Sequence, residues 1–190
     1  MKRIGILGGT FDPPHQGHLL MAEFVRNDLH LDEVWFIPSH VPPHKQEAKV
    51  SADDRLKMVE NAIESNPYFK ASNVELTRKG TSYTVDTMSY LIDQYPKNEF
   101  YFIIGADMVE HLPKWYKIDE LKKLVQFVGV KRPGYKWSPE IPVQFVEIPL
   151  IDISSSTIRE RLLSGHSVRY LVPDAVYHFI KEHKIYGADS

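Results

Sequence analysis

His15 and His18 stand three residues apart in the string Gly8-Gly9-Thr10-Phe11-Asp12-Pro13-Pro14-His15-Gln16-Gly17-His18, the segment of this chain richest in chemical content. Glycines after a strand let backbone N–H groups come close to a phosphate, and a helix starting just beyond points its positive end at the same place. Two imidazoles at this spacing, on or just before a helix N-terminus, can aim both rings at one anion. Neither GxGxxG nor GxxxxGK[ST] occurs, so the string is neither a dinucleotide fingerprint nor a Walker loop. Zinc competes as a use for two histidines, but HxxH here lacks an intervening Glu, a Cys and an evident third ligand. A plain tight βα turn accounts for the glycines alone and not for the combined string.

A second cluster is Ile153-Ser154-Ser155-Ser156-Thr157-Ile158-Arg159-Glu160-Arg161. Each hydroxyl taken singly is a good helix N-cap. Together with free helix N–H groups and Arg159 one turn in, they make an oxyanion clamp. Arg161 lies elsewhere on the helix and reads as a solvated charge. Gly105 and Asp107, at the end of an apolar strand, read on their own as a turn. His40 and His44 in a Pro-bearing loop invite a metal reading that has no carboxylate partner.

These groups must be positioned by 190 residues, 43% hydrophobic and 25% charged, the proportions of a soluble globular protein and the length of one domain, 1–190. Lys plus Arg number 23 against 25 Asp plus Glu, a formal net charge of -2. That balance argues against a general nucleic-acid grip or an anionic-membrane anchor and leaves room for a local basic pocket. No basic stripe with interleaved aromatics appears, so a nucleic-acid module fits worst. The chain has no cysteine, which rules out disulfides, thiolate catalysis and Cys-based metal sites. No apolar run nears the ~18 residues of a membrane span. Met1-Lys2-Arg3 leads into a strand rather than a signal sequence, so a cytoplasmic location is expected.

Periodicity supplies the elements. Arg3 to Leu7 reads as a buried strand stopping at Gly8-Gly9, and helical spacing follows through Leu20, Phe24 and Val25. Val34 to Ile37 is a strand ended by Pro38. Ser51 with Asp54 predicts a capped helix with Leu56, Val59 and Ile63 on one face. Ala71 to Leu76 reads as a strand; Val85, Met88, Leu91 and Ile92 line a helix; Phe100 to Ile104 is a strongly apolar strand. Leu121, Leu124 and Val125 suggest a helix before strands at 127–130 and 145–148, and helices near 155–163 and 173–183 finish the chain. The loops 39–49 and 132–142 combine Pro with polar residues and read as the flexible segments. Strands alternating with helices imply right-handed crossovers. The expected fold is α/β: a single doubly wound, Rossmann-like domain with a mostly parallel sheet, helices on both faces, and the C-terminal helices (154–190) on the same sheet. Ligands of such sheets sit beyond the carboxyl ends of the strands, so Gly8, Ser39, Gly105 and Ser154 should share one rim.

The Gly8–His18 string resembles the (T/H)xGH signature loop of the nucleotidyltransferase superfamily, and Ser154–Arg159 resembles its ISSTxxR motif. Within that superfamily, GGTFDPPHQGH and near-full coverage of the chain are most similar to the bacterial nicotinate-nucleotide adenylyltransferases. The resemblance implies adenylyl transfer from ATP to nicotinate mononucleotide, giving deamido-NAD and pyrophosphate. It implies an ATP site of Gly8, Gly9, Thr10, Phe11, His15, His18, Gly105, Asp107, Ser155, Thr157 and Arg159, with His15, His18 and Arg159 catalytic. It also implies that Trp115 stacks on the pyridine, that backbone N–H groups at Thr84 and Tyr116 receive the carboxylate, and that Lys45 and Arg132 contact the mononucleotide phosphate. Trp115 and Tyr116 read equally as core or rim aromatics without it. Both histidines are expected to donate to the phosphates, a role that favours the protonated form and that nearby phosphate supports by raising each imidazole pKa. Mg2+ is expected to ride on the phosphates, and a homodimer, common among family members, is one open oligomeric state. Transfer to nicotinamide mononucleotide or phosphopantetheine, and a non-catalytic nucleotide sensor, are the alternatives.

Overall fold

The computed structural model describes residues 1–40, 48–78, 80–131, 141–149 and 152–188. Strands β1 (Arg3–Gly9), β2 (Glu33–Pro38), β3 (Phe69–Ala71), β4 (Glu99–Gly105), β5 (Gln126–Lys131) and β6 (Val143–Glu147) form one sheet in the order β3-β2-β1-β4-β5-β6. Every pairing in it is parallel. Helices α1 (Gln16–Asp28), α2 (Ala52–Ile63), α3 (Val74–Arg78), α4 (Thr84–Gln94), α5 (Ala106–Val109), α6 (Ile118–Leu124), α7 (Ser155–Leu163) and α8 (Asp174–Glu182) cover it. The architecture is the expected single Rossmann-like domain.

A sheet buried on both faces needs strands apolar at consecutive positions, with neighbours serving opposite cores. Ile4 and Ile6, Trp35 and Ile37, and Phe100, Phe102 and Ile104 pack into one core with Val85, Met88 and Leu91 of α4. Leu7, Val34, Phe36, Tyr101, Ile103, Val128 and Val130 pack into the other, against α1 and α2 and with Ile158, Leu162, Val176 and Ile180 of the C-terminal helices. Each large side chain buried in this way contributes about 1.5–3 kcal/mol.

Two elements differ from the sequence reading. Strand β1 runs through Gly8 and Gly9, which pair with Ile37 and Pro38, because glycine ends neither a parallel ladder nor its hydrogen bonds. The strand expected over 71–76 is instead β3, ending at Ala71, followed by α3. Ser72 N–H makes the closing bond to the Phe36 carbonyl (2.9 Å), and the Asn73 carbonyl accepts from Thr77 N–H (2.9 Å) to start a helical turn. Val74 suggested strand by its branching, yet it serves as the buried anchor of α3. The segments expected to be flexible fall largely outside the described residues.

The order of strands reverses between β1 and β4, both of which have parallel partners on either side. Their carboxyl ends, Gly9 and Gly105, flank the crevice where a doubly wound sheet receives its ligand.

Candidate active site

Gly8 is exposed at the end of β1, and a Cβ built there would meet nothing closer than Phe102 Cζ at 3.7 Å. Gly9 is constrained differently: a Cβ would lie 3.1 Å from the Phe11 ring, so glycine lets that ring close over the strand end. Phe11 itself is buried with φ +52 and precedes a cis Asp12-Pro13 bond. The chain then enters α1 with His15 as N-cap in extended conformation.

The two imidazoles come together as the spacing suggested. Their centroids are 3.7 Å apart and the rings are stacked at 27°. His15 N–H donates to His18 Nδ1 (3.2 Å), so a neutral His18 carries its proton on Nε2. The His18 edge meets the Phe11 ring at 4.9 Å. His15 is 7% exposed, and burial lowers its pKa from 6.5 to about 4. In the protein without ligand His15 is therefore neutral near pH 7. The stacking agrees, since two unit charges about 4 Å apart near a protein surface repel by ~4 kcal/mol.

Buried polar atoms without a protein partner gather here. Thr10 Oγ1, His15 Nδ1, Ser39 Oγ and His40 Nδ1 have none among the described residues, although buried polar groups are normally paired. Thr10 and Ser39 follow β1 and β2 directly. Their backbone carbonyls are both held by Arg55 Nη1, at 2.8 Å each. Arg55 is 2% exposed and was missed from sequence. The signal was there: Arg55, Met58, Val59 and Ala62 follow helical i, i+3, i+4, i+7 spacing, and all are buried in α2.

Helix α7 begins beside the same loop. Ser154 is its N-cap, its Oγ accepting from Thr157 N–H (3.1 Å), as the capping reading expected for one of these hydroxyls. Ser155 Oγ donates to the Pro13 carbonyl (2.9 Å) and Arg159 Nη1 to the Asp12 carbonyl (2.8 Å). Arg159 Nη2 also reaches Ser156 Oγ (3.2 Å). Ser155 and Arg159 thus share the helix face toward the His15 loop. Thr157 is on another face: its Oγ1 lies 2.9 Å from Ser154 Oγ, and with Arg161 and Arg169 it lines a separate cleft. Arg161 donates from Nε and Nη2 to the Ser167 carbonyl (3.1 and 3.0 Å). The clamp read from the sequence is therefore divided between two faces.

Across β4, Tyr83 and Tyr116 stack obliquely at 4.5 Å, so the start of α4 at Thr84 and the Trp115-Tyr116 pair lie side by side. Trp115 stands edge-on to Phe102 at 5.8 Å and Tyr116 is 51% exposed. The 80–84 loop is tied down from below. Thr87 Oγ1 donates to Glu75 Oε1 (2.7 Å), and Ser82 Oγ accepts from His40 N–H (3.0 Å). Burial raises the Glu75 pKa, partly countered by hydrogen bonds from Ser82 and Thr87. Gly105 is the N-cap of α5. The Asp107 side chain, Lys45, His44 and Arg132 lie outside the described residues. Among the described residues no group of three His, Asp or Glu side chains converges on a metal position.

Comparison with known proteins points one way. The profile of the cytidylyltransferase-like family matches residues 6–161. A probable nicotinate-nucleotide adenylyltransferase of Oceanobacillus iheyensis is 56% identical over 98% of this chain and 98% of its own length. The nicotinate-nucleotide adenylyltransferase of Bacillus subtilis is 52% identical over 98% of this chain and 99% of its own. The structure of Plasmodium falciparum nicotinic acid mononucleotide adenylyltransferase complexed with NaAD covers 100% of this chain and 99% of its own, with a TM-score of 0.83 at 20% identity. That last likeness is one of fold.

Proposed function

This chain belongs to the cytidylyltransferase-like family and, within it, to the nicotinate-nucleotide adenylyltransferases, and from that premise we propose how its residues carry the reaction. The enzyme joins ATP to nicotinate mononucleotide, giving deamido-NAD and pyrophosphate in NAD biosynthesis. A phosphate oxygen of the mononucleotide bonds to the α-phosphorus of ATP, the α–β bridging bond breaks, and pyrophosphate leaves with its electron pair. The nucleophile is already an anion, so the protein has no covalent work to do. Its task is alignment and charge neutralisation.

The observation that carries the assignment of roles is the stacked His15–His18 pair at the start of α1, beside exposed Gly8 at the β1/β4 switch. In neutral form His18 carries its proton on Nε2, since Nδ1 accepts from His15 N–H, and Nε2–H is the group that donates to the triphosphate. His15 starts neutral, and an arriving polyanion raises its proton affinity. One charge on the stack is then favoured as negative charge builds on the leaving group. Arg159 holds the β- and γ-phosphates from the α7 side with Ser155, and Thr157 contributes from the adjoining face. Gly8, Gly9, Thr10 and Phe11 supply backbone and hydroxyl contacts, and Gly105 and Asp107 enter the ATP site on the resemblance.

On the acceptor side, Trp115 stacks on the pyridine, and the Thr84 and Tyr116 N–H groups receive the carboxylate. Thr84 is the first residue of α4, where helix N–H groups have no internal partner and favour an anion. Lys45 and Arg132 enter this proposal on the resemblance alone, as contacts to the mononucleotide phosphate. So do a homodimer and a cytoplasmic setting; no helix among the described residues is long and apolar enough to cross a membrane. Mg2+ enters the proposal as a companion of ATP, a hard cation that takes phosphate oxygens as ligands. When bound it neutralises phosphate charge.

The test is to follow ATP labelled at the α-phosphorus with nicotinate mononucleotide and Mg2+. The label is expected in deamido-NAD and never on the protein. Label retained on the chain contradicts direct transfer, and label in neither contradicts the activity.

A further inference from the structure

The signature loop is anchored by a residue far outside it. Asp12 is 5% exposed, and both carboxylate oxygens are held. Oδ1 accepts from Tyr186 Oη at 2.6 Å and Oδ2 from Lys49 N–H at 2.8 Å. Arg159 Nη1 binds the Asp12 backbone carbonyl (2.8 Å) yet stays 3.9 Å from Oδ2, at the edge of ion pairing. Tyr186 lies 174 residues downstream of Asp12, in the 3-10 turn Ile185–Gly187, beyond the segment that the family profile matches.

Tyr186 has φ +59 and ψ 28, a left-handed conformation that Cβ-bearing residues adopt reluctantly. The conformation accompanies a phenol turned inward onto a buried carboxylate. Burial foremost, and then the Asp12 bond, raise the phenol pKa, so the hydroxyl remains a donor at every working pH. A buried carboxylate that lost this donor would turn to the nearest strong one. Of the two guanidiniums near Asp12, Arg55 is already committed to the Thr10 and Ser39 carbonyls, and Arg159, the one assigned to the leaving group, stands 3.9 Å from Oδ2. Tyr186 therefore does two things at once: it satisfies Asp12, and it leaves Arg159 incompletely paired.

We propose that Tyr186 is a positioning residue for adenylyl transfer, its hydroxyl holding the Asp12 carboxylate off Arg159 so that the guanidinium faces the phosphates. This rests on the reading of the site given above. Its signature is kinetic. The contacts assigned to nicotinate mononucleotide do not involve Arg159, so its ground-state binding is retained while alignment with the departing pyrophosphate is lost.

The experiment is a double-mutant cycle on the full chain with Tyr186→Phe and Asp12→Asn, folding being checked by circular dichroism at the assay temperature. Wild type is assayed first with ATP, Mg2+ and nicotinate mononucleotide; absence of deamido-NAD there sinks the proposed function rather than this inference. With active wild type, Tyr186→Phe should lower kcat by about tenfold or more, since small misplacements are costly, with the KM for nicotinate mononucleotide within about threefold. The double variant should match Asp12→Asn to within about threefold, because an uncharged amide at position 12 has no hold on Arg159 whether or not the phenol oxygen is present. A folded Tyr186→Phe with unchanged kcat overturns the proposal, as do losses that simply multiply. Should Tyr186→Phe fail to fold, Asp12→Asn serves in its place: without the charge that would draw Arg159, a folded Asp12→Asn should keep kcat within about threefold of wild type, and a loss of about tenfold or more overturns the proposal.

Discussion

Gly17→Ala tests the geometry of the imidazole pair without touching either imidazole. A Cβ added at Gly17 would lie 3.0 Å from His15 Nδ1 and 3.1 Å from its Cε1, against a comfortable separation of about 3.5–4.0 Å. The ring must therefore yield by roughly 0.5 Å. It has little room, being buried and stacked on His18 at 3.7 Å. Complete loss of one transition-state donor costs ~3 kcal/mol, about a hundredfold in rate. A displaced ring loses part of that, so kcat should fall between about tenfold and a hundredfold. Stability should move the other way or stay level, because Ala in a helix is better than Gly by up to about 1 kcal/mol. The melting temperature should then remain within about 3 °C of wild type. Pyrophosphate release under saturating substrates and a thermal melt read the two effects separately. A Gly17→Ala enzyme within twofold of wild-type kcat would refute the reasoning, because the His15 ring would then be free to move at no catalytic cost.

Replacing His18 by Ala should lower turnover by at least about a hundredfold with the fold intact; near-normal turnover contradicts its role. Arg55→Met strips the donors from the Thr10 and Ser39 carbonyls, each worth about 1–3 kcal/mol when buried. Urea unfolding should show a loss of about 3 kcal/mol, and a change below about 1 kcal/mol speaks against Arg55 as the post under the loop. The depressed His15 pKa, about 4 against 6.5, makes stability depend on pH. The unfolded chain takes up the proton first, so this contribution is whole above pH 6.5, declines as pH falls through the window, and is gone below 4. Its full size is about 3 kcal/mol. Between pH 7.5 and pH 5, wild type should lose about 2 kcal/mol more than His15→Asn in urea unfolding, and equal losses contradict a buried neutral ring.

Much of the fold was legible because local pattern and tertiary role agreed. The apolar run Phe100 to Ile104 could only be a strand buried on both faces, and β4 is the strand bonded to β1 and β5. The hydroxyl cluster before Ile158 marked the start of α7 at Ser155. Where a residue serves a distant partner, its type and spacing do not name that partner. Tyr186 looks like a terminal aromatic until the chain folds it onto Asp12. Arg55 sits among charged neighbours, and its burial is decided by two carbonyls at other strand ends. The divided faces of α7 follow from how that helix seats on Asp12 and Pro13, which no spacing encodes. The charge of His15 is set in the same way: its type allows a cation, and its depth in the fold makes it neutral before a ligand arrives.

The central claim is that this site transfers adenylate to a carboxylated pyridine nucleotide. The most direct measurement is pyrophosphate release from ATP and Mg2+ with nicotinate mononucleotide, nicotinamide mononucleotide and phosphopantetheine offered in turn. Fast release with nicotinate mononucleotide, and release at least about tenfold slower with the other two, is the predicted result. Comparable or faster release with phosphopantetheine, or none with any acceptor, would contradict the account.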